Sequence, residues 1–175
     1  NEIGNGLLWP DGRIVSGSAA AATWERAGAL LKAAASGARQ GAGGRPLRLL
    51  LHYENGGSPR RSREFFDRMV AAGVPFDVIG VSYYPWWHGS LDSLAASLRE
   101  LNARFRRDVM IVETGYPWTL GWWDAVPNAV GEPAQLLARY AGTPAGQQDF
   151  MRDLIRRARG VRGCRGVYYW EPAWV

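Results

Sequence analysis

Two glutamates are placed to do chemistry. Glu113 follows the apolar run Val109, Met110, Ile111, Val112 with no polar lead-in, and Gly115, Tyr116 and Pro117 then make a turn. A short apolar run bounded this way reads as a strand buried on both faces of a parallel sheet. A carboxylate at its tip is costly to hold ionised unless partners surround it, and barrel enzymes carry catalytic groups at strand ends of this kind. Taken alone, Glu113 could equally be a strand-end carboxylate paired with an arginine. Glu2, in Asn1-Glu2-Ile3 ahead of a Gly-rich run, supplies a second carboxylate in a matching context. Two facing carboxylates suit glycoside hydrolysis, one as protonated acid/base and one as ionised nucleophile, about 5 Å apart for the retaining route.

The elements that must position this pair alternate regularly. Residues 1–10 read as a Gly-rich loop. The Ala-rich segment 18–36 reads as a helix with Trp24, Ala27, Leu31 and Ala34 on one face, and 37–45 as a Gly-rich connector. Residues 47–52 form a strand. Ser58-Pro59 caps a helix that carries Phe65, Phe66, Met69 and Val70 on one side and stops at Gly73. A strand over 76–83 follows, and Ser90 caps a helix with Leu91, Leu94, Leu98 and Leu101 at helical spacing. After the Glu113 strand comes a loop rich in Trp, Pro and Gly (119–142). Thr143-Pro144 opens a helix with Phe150, Leu154, Ile155 and Ala158 inward, and 166–170 is the last strand.

Strict alternation calls for an α/β fold with a parallel sheet and helical crossovers. No Gly-rich phosphate loop follows an early strand, so a doubly wound dinucleotide fold is disfavoured. Polar or aromatic residues at every strand end (His52, Tyr83, Glu113, Trp170) favour one mouth of a barrel. A closed barrel needs eight strands and about 250 residues. The 175 residues therefore read as one partial domain, the C-terminal half of a (β/α)8 TIM barrel, running from the loop after strand four to strand eight. Glu2 and Glu113 then close strands four and seven.

Composition narrows the function. The chain carries 9 Trp, 7 Tyr and 5 Phe, many just after strands, which suits stacking on sugar rings as well as loop packing. The net charge of +5 comes from arginines spread along outer helices, a solvated exterior and not a nucleic-acid face. Cys164 is the single cysteine, which excludes an internal disulfide and a cysteine-rich metal site. No apolar run is long enough to span a membrane. The opening residues look like a cut within a longer chain, so a signal peptide is expected upstream of them.

Several runs narrow the reading further: Asn1-Glu2-Ile3 with Gly6-Leu7-Leu8-Trp9-Pro10, Leu51-His52-Tyr53-Glu54-Asn55-Gly56, Gly80-Val81-Ser82-Tyr83-Tyr84-Pro85, Ile111-Val112-Glu113-Thr114, and Tyr169-Trp170-Glu171-Pro172-Ala173-Trp174. Together they resemble the arabinogalactan endo-β-1,4-galactanases of glycoside hydrolase family fifty-three, retaining barrel glycosidases. The resemblance implies that Glu2 is the acid/base and Glu113 the nucleophile. It also implies that Asn1 holds the sugar 2-hydroxyl, that Tyr83 donates a hydrogen bond to Glu113, and that His52 and Trp170 line the cleavage subsite. Trp86 and Trp118 are placed to extend the cleft. The implied protein is secreted, monomeric at full length, and acts on β-1,4-galactan side chains of pectin without a cofactor, nucleic acid or membrane partner. Glu54 stands where the family often has Asp. Asp124 and Glu132, the only acids of the 119–142 loop, are too few for a calcium site, so no metal is expected. Two rivals stay open: a half-barrel that binds galactan or pairs with another half without catalysis, and a hydrolase of the same clan acting on mannan or cellulose.

Overall fold

In the computed structural model, residues 1–15 and 20–170 are described. The first positions of the 18–36 helix, and Glu171, Pro172, Ala173 and Trp174 of the terminal run, lie outside them. A 3-10 turn (Ile3–Asn5) leads into a small antiparallel hairpin, β1 (Gly6–Leu7) on β2 (Gly12–Arg13). The segment expected to be plain loop is thus structured. Glycine makes this possible: Gly6 adopts φ 88°, and a Cβ on Gly12 would run into the Leu7 backbone.

The rest alternates: α1 (Ala20–Ala42), β3 (Leu50–Tyr53), α2 (Pro59–Ala71), β4 (Val78–Tyr83), the short α3 (Pro85–His88), α4 (Leu91–Phe105), β5 (Asp108–Thr114), α5 (Pro144–Arg159) and β6 (Cys164–Val167). The four strands form one parallel sheet in sequence order, β3-β4-β5-β6. That is the arrangement of four successive strands of a barrel. Ser58, Ser90 and Thr143 each accept a main-chain N–H of the following turn, capping α2, α4 and α5 as their sequences predict. Helix α1 runs past Gly37, whose missing side chain faces open space, and ends only where Gly43 and Gly44 take left-handed φ values.

The helices cover one face of the sheet. Leu51, Tyr53, Ile79, Val81, Tyr83, Val109 and Ile111 pack there against Phe65, Phe66, Met69, Leu94, Leu98, Phe150 and Leu154. Strand alternation sends Leu50, His52, Gly80 and Ser82 to the opposite face. Ala34, Val70 and Ile155, expected inward, are instead exposed. Val70 and Ile155 each follow a buried residue, Met69 and Leu154, and Ala34 precedes one, Ala35, so each lies one position off the centre of the buried stripe. Arg63–Glu100 and Arg104–Asp67 ion pairs tie α2 to α4 on the outside.

β3 and β6 are the two edges of this sheet among the described residues. Unpaired edges template association. These 175 residues expressed by themselves are therefore expected to self-associate in sedimentation velocity at micromolar concentration. A single monomeric boundary with one sharp unfolding transition would contradict that expectation.

Candidate active site

The functional residues converge at the C-terminal ends of the strands, and a bulge in β5 does much of the aiming. Val81 pairs with Ile111, both facing the helices, but Ser82 pairs with Glu113, so β5 gains one residue at Val112. Simple alternation from Ile111 would turn Glu113 into the helix layer. The extra residue turns it to the face that Ser82 occupies, a use of bulges common beside active sites. Glu113 is 7% exposed, and its Oε1 accepts the Tyr84 hydroxyl at 2.8 Å.

Glu2 arrives from the other side. It precedes the 3-10 turn with a left-handed backbone (φ 43°), and the Gly4 N–H of that turn donates to Glu54 Oε2 at 2.8 Å. A Cβ on Gly4 would collide with the Glu54 carboxylate, so this approach needs glycine. Glu2 Oε1 accepts the Ser82 hydroxyl at 2.6 Å, and His52 Nε2 lies 2.8 Å from the same Ser82 oxygen. A carboxylate oxygen of Glu2, one of Glu113 and a ring nitrogen of His52 all lie within 4.8 Å of one another. Donors this close could hold a cation, but Ser82 already engages both Glu2 and His52, and the grouping reads as a hydrogen-bonded one.

Above the pair opens a cavity of about 670 Å³, lined by Glu2, Glu113, Glu54, Tyr84, Trp86, Trp87, Tyr169, Trp170 and the 124–130 segment of the long loop. Trp170 is 50% exposed, and its N–H bonds Thr114, so main-chain pairing of the last strand continues past Val167. Burial holds His52 and His88 at about 4, well below the usual 6.5. Burial first, and then the charge of Glu2 among smaller causes, raises Glu54.

Of the residues expected from sequence, Glu2, His52 and Glu113 come together, and Trp86 and Trp170 line the cavity. His52 lies behind Ser82 and is not itself part of the lining. Trp118 is half-buried and outside the lining, and Asn1 is exposed and outside it as well. Tyr83 does not touch Glu113. Its side chain turns to the helix layer, stacks on Phe150 and donates to Gly89 O at 2.6 Å. The partner of Glu113 is Tyr84, one residue on, because Ser82 already occupies the inner face and alternation gives that face next to residue 84. Counting parity from Gly80, the one position in the strand with no side chain, would have found both Ser82 and Tyr84. Glu54 and Trp87 also went unassigned. His88, with no role expected from its sequence context, accepts the Tyr84 N–H on Nδ1 at 3.0 Å and so steadies the Glu113 partner.

The sequence model of Glycosyl hydrolase family 53 matches residues 1–175. The chain is 40% identical to an uncharacterized protein in the bgaB 5' region of Niallia circulans, over all of this chain and 48% of that relative. It is 35% identical to the arabinogalactan endo-β-1,4-galactanase of Cellvibrio japonicus, over all of this chain and 46% of that protein. The fold superposes on the GH53 catalytic domain of Ignisphaera aggregans with a TM-score of 0.85 at 34% identity, covering 99% of this chain and 46% of that one. The chain thus spans about half the length of the curated relatives it matches.

The neutral histidines make stability depend on pH. The unfolded chain takes up protons at His52 and His88 below about pH 6.5, and the folded chain refuses them until about pH 4. Their contribution is complete above pH 6.5 and is lost as the pH falls toward 4. Thermal melts between pH 7 and 4.5 should show a smaller drop in Tm for His88→Asn, whose amide oxygen can still accept the Tyr84 N–H, than for the parent. Parallel curves would refute the assignment.

Proposed function

Since the chain belongs to glycosyl hydrolase family 53, we propose that it carries the acid/base and nucleophile of a retaining endo-β-1,4-galactanase. The observation that carries this reading is the approach of the Glu2 and Glu113 carboxylates to within 4.8 Å beneath an aromatic cavity. Retaining glycosidases hold their pair about 5 Å apart, whereas inverting ones need roughly 6.5–9.5 Å to admit a water.

Glu113 Oε attacks the anomeric carbon while Glu2 gives its proton to the departing glycosidic oxygen. The bond to the leaving sugar breaks, and an ester to Glu113 forms. Glu2, now ionised, takes a proton from water as that water attacks the anomeric carbon, and the Glu113 carboxylate leaves. Two inversions give net retention. The Tyr84 hydroxyl orients Glu113, and its donated hydrogen bond favours the ionised form that attacks. Trp170, Trp86 and Trp87 offer flat apolar surface to sugar rings. The contact of Asn1 with the sugar 2-hydroxyl rests on the family resemblance alone, since Asn1 is exposed and outside the cavity lining. β-1,4-Galactan chains of pectin are polymers too large to enter a cell, so the enzyme is placed outside it.

The test is reducing-sugar release from linear β-1,4-galactan by the protein expressed from its complete reading frame. Glu2→Gln is expected to lower turnover by about 10²–10⁴-fold, the usual contribution of general acid catalysis, and Glu113→Gln by at least as much. Mannan and cellulose should remain uncleaved. Activity untouched by either change would mean that other carboxylates do the work, and galactan binding without cleavage would favour a binding role.

A second comparison separates the two tyrosines. Tyr84→Phe should cut kcat by about tenfold or more, since it removes an oriented donor to a reacting group. Tyr83→Phe should leave kcat near the parent value and lower Tm, because only the buried bond to Gly89 is lost. The reverse pattern would restore the partner expected from sequence.

A further inference from the structure

We propose that Ser82 is a positioning residue that fixes which oxygen of Glu2 carries the transferable proton, reserving Oε1 as a permanent acceptor and leaving Oε2 for the substrate; this rests on the acid/base role given to Glu2 above.

The argument is one of counting protons. Ser82 is fully buried, and its oxygen has two neighbours, Glu2 Oε1 at 2.6 Å and His52 Nε2 at 2.8 Å. A hydroxyl has one proton to give, and in the ionised half of the cycle the Glu2 carboxylate can only accept. In that state the Ser82 proton goes to Oε1, and Ser82 accepts from His52 as the Nε2–H tautomer. If His52 keeps that tautomer, the proton Glu2 takes up next goes to Oε2. Burial keeps this imidazole neutral until about pH 4, so the direction of the chain holds across the working range. The strands set the geometry: His52 pairs with Gly80, and Ser82 follows two residues later on the same face.

Of the other titratable groups nearby, Glu113 accepts from Tyr84, Glu54 accepts the Gly4 N–H and is raised in part by the charge of Glu2, and the amino group of Asn1 acts on His52 with the same sign as burial. The 2.6 Å contact lies in the short range of charge-assisted O–H···O⁻ bonds. Such a bond favours the carboxylate over the acid, so removing the Ser82 hydroxyl should favour the acid. No sequence pattern singles out Ser82, a small residue inside a fully buried strand.

The experiment compares pH profiles of kcat/KM on β-1,4-galactan for the parent, Ser82→Ala and Ser82→Thr, each expressed from the complete reading frame. Ser82→Ala should move the alkaline limb upward by about one pH unit, and Ser82→Thr, which keeps the hydroxyl, should bring it back. A lower rate with an unmoved limb would reduce Ser82 to a packing residue and overturn the inference. The same proteins, labelled with ¹³C-carboxyl glutamate, are titrated by NMR with Glu2→Gln assigning the resonance. Glu2 should hold its proton to higher pH in Ser82→Ala than in the parent. A parent that cleaves no galactan would sink the functional reading, while the NMR titration would still decide for or against the Ser82 coupling.

Discussion

Everything at the strand ends depends on holding two carboxylates close together beneath one cavity. Two negative charges about 4.8 Å apart repel by about 3 kcal/mol at an effective dielectric of about 20, and more if closer. One proton shared by the pair would relieve that repulsion, and in the proposed mechanism that proton leaves Glu2 and returns. The surroundings divide the labour accordingly. Ser82 donates a hydroxyl to Glu2, and Tyr84 donates one to Glu113.

The opposite ends of the strands show what the chain does with a carboxylate it does not use. Asp108, at the start of β5, is bound by Arg48 from ahead of β3 and by Arg165 from β6, both at 2.8 Å. Those two guanidinium groups hold its carboxyl below the usual range. Its charge is spent on tying three strands together. One strand thus carries an arginine-paired carboxylate at its N-terminal end and the proposed nucleophile near its C-terminal end, the division between stability and chemistry expected of barrel strands.

Much of this was legible from residue order. Alternation of apolar runs with capped helices gave the parallel sheet, Ser58, Ser90 and Thr143 marked the helix starts, and the apolar run into Glu113 marked the reactive strand end. Side-chain facing was less legible, and the reason is physical. Strand β4 is buried along its whole length, so hydrophobicity does not say which residues face helices and which face the mouth. Tyr83 and Tyr84 look interchangeable in such a run, and only parity with Gly80 and Ser82 separates them. The bulge at Val112 is harder still, because neither glycine nor proline marks it and it appears only as a slip in pairing with β4.

That slip explains how a chain can satisfy two demands that conflict in a regular strand. Val109 and Ile111 must face the helices to bury their side chains, and strict alternation would then commit residue 113 to the same face. A glutamate there would lie among Phe150, Leu154 and Tyr83 with no polar partner, a burial costing several kcal/mol. Moving the apolar pair by one residue would rescue the glutamate and expose the core instead. Adding one residue after Ile111 keeps the core of β5 in register with β4 and reverses the face only at its end. Thr114 then closes the exchange by donating to Tyr83 O at 2.6 Å, which pins β5 to β4 directly beyond the bulge. The position of Glu113 is therefore set by main-chain pairing on both sides of it, and the Tyr84 hydroxyl orients what the backbone has already placed.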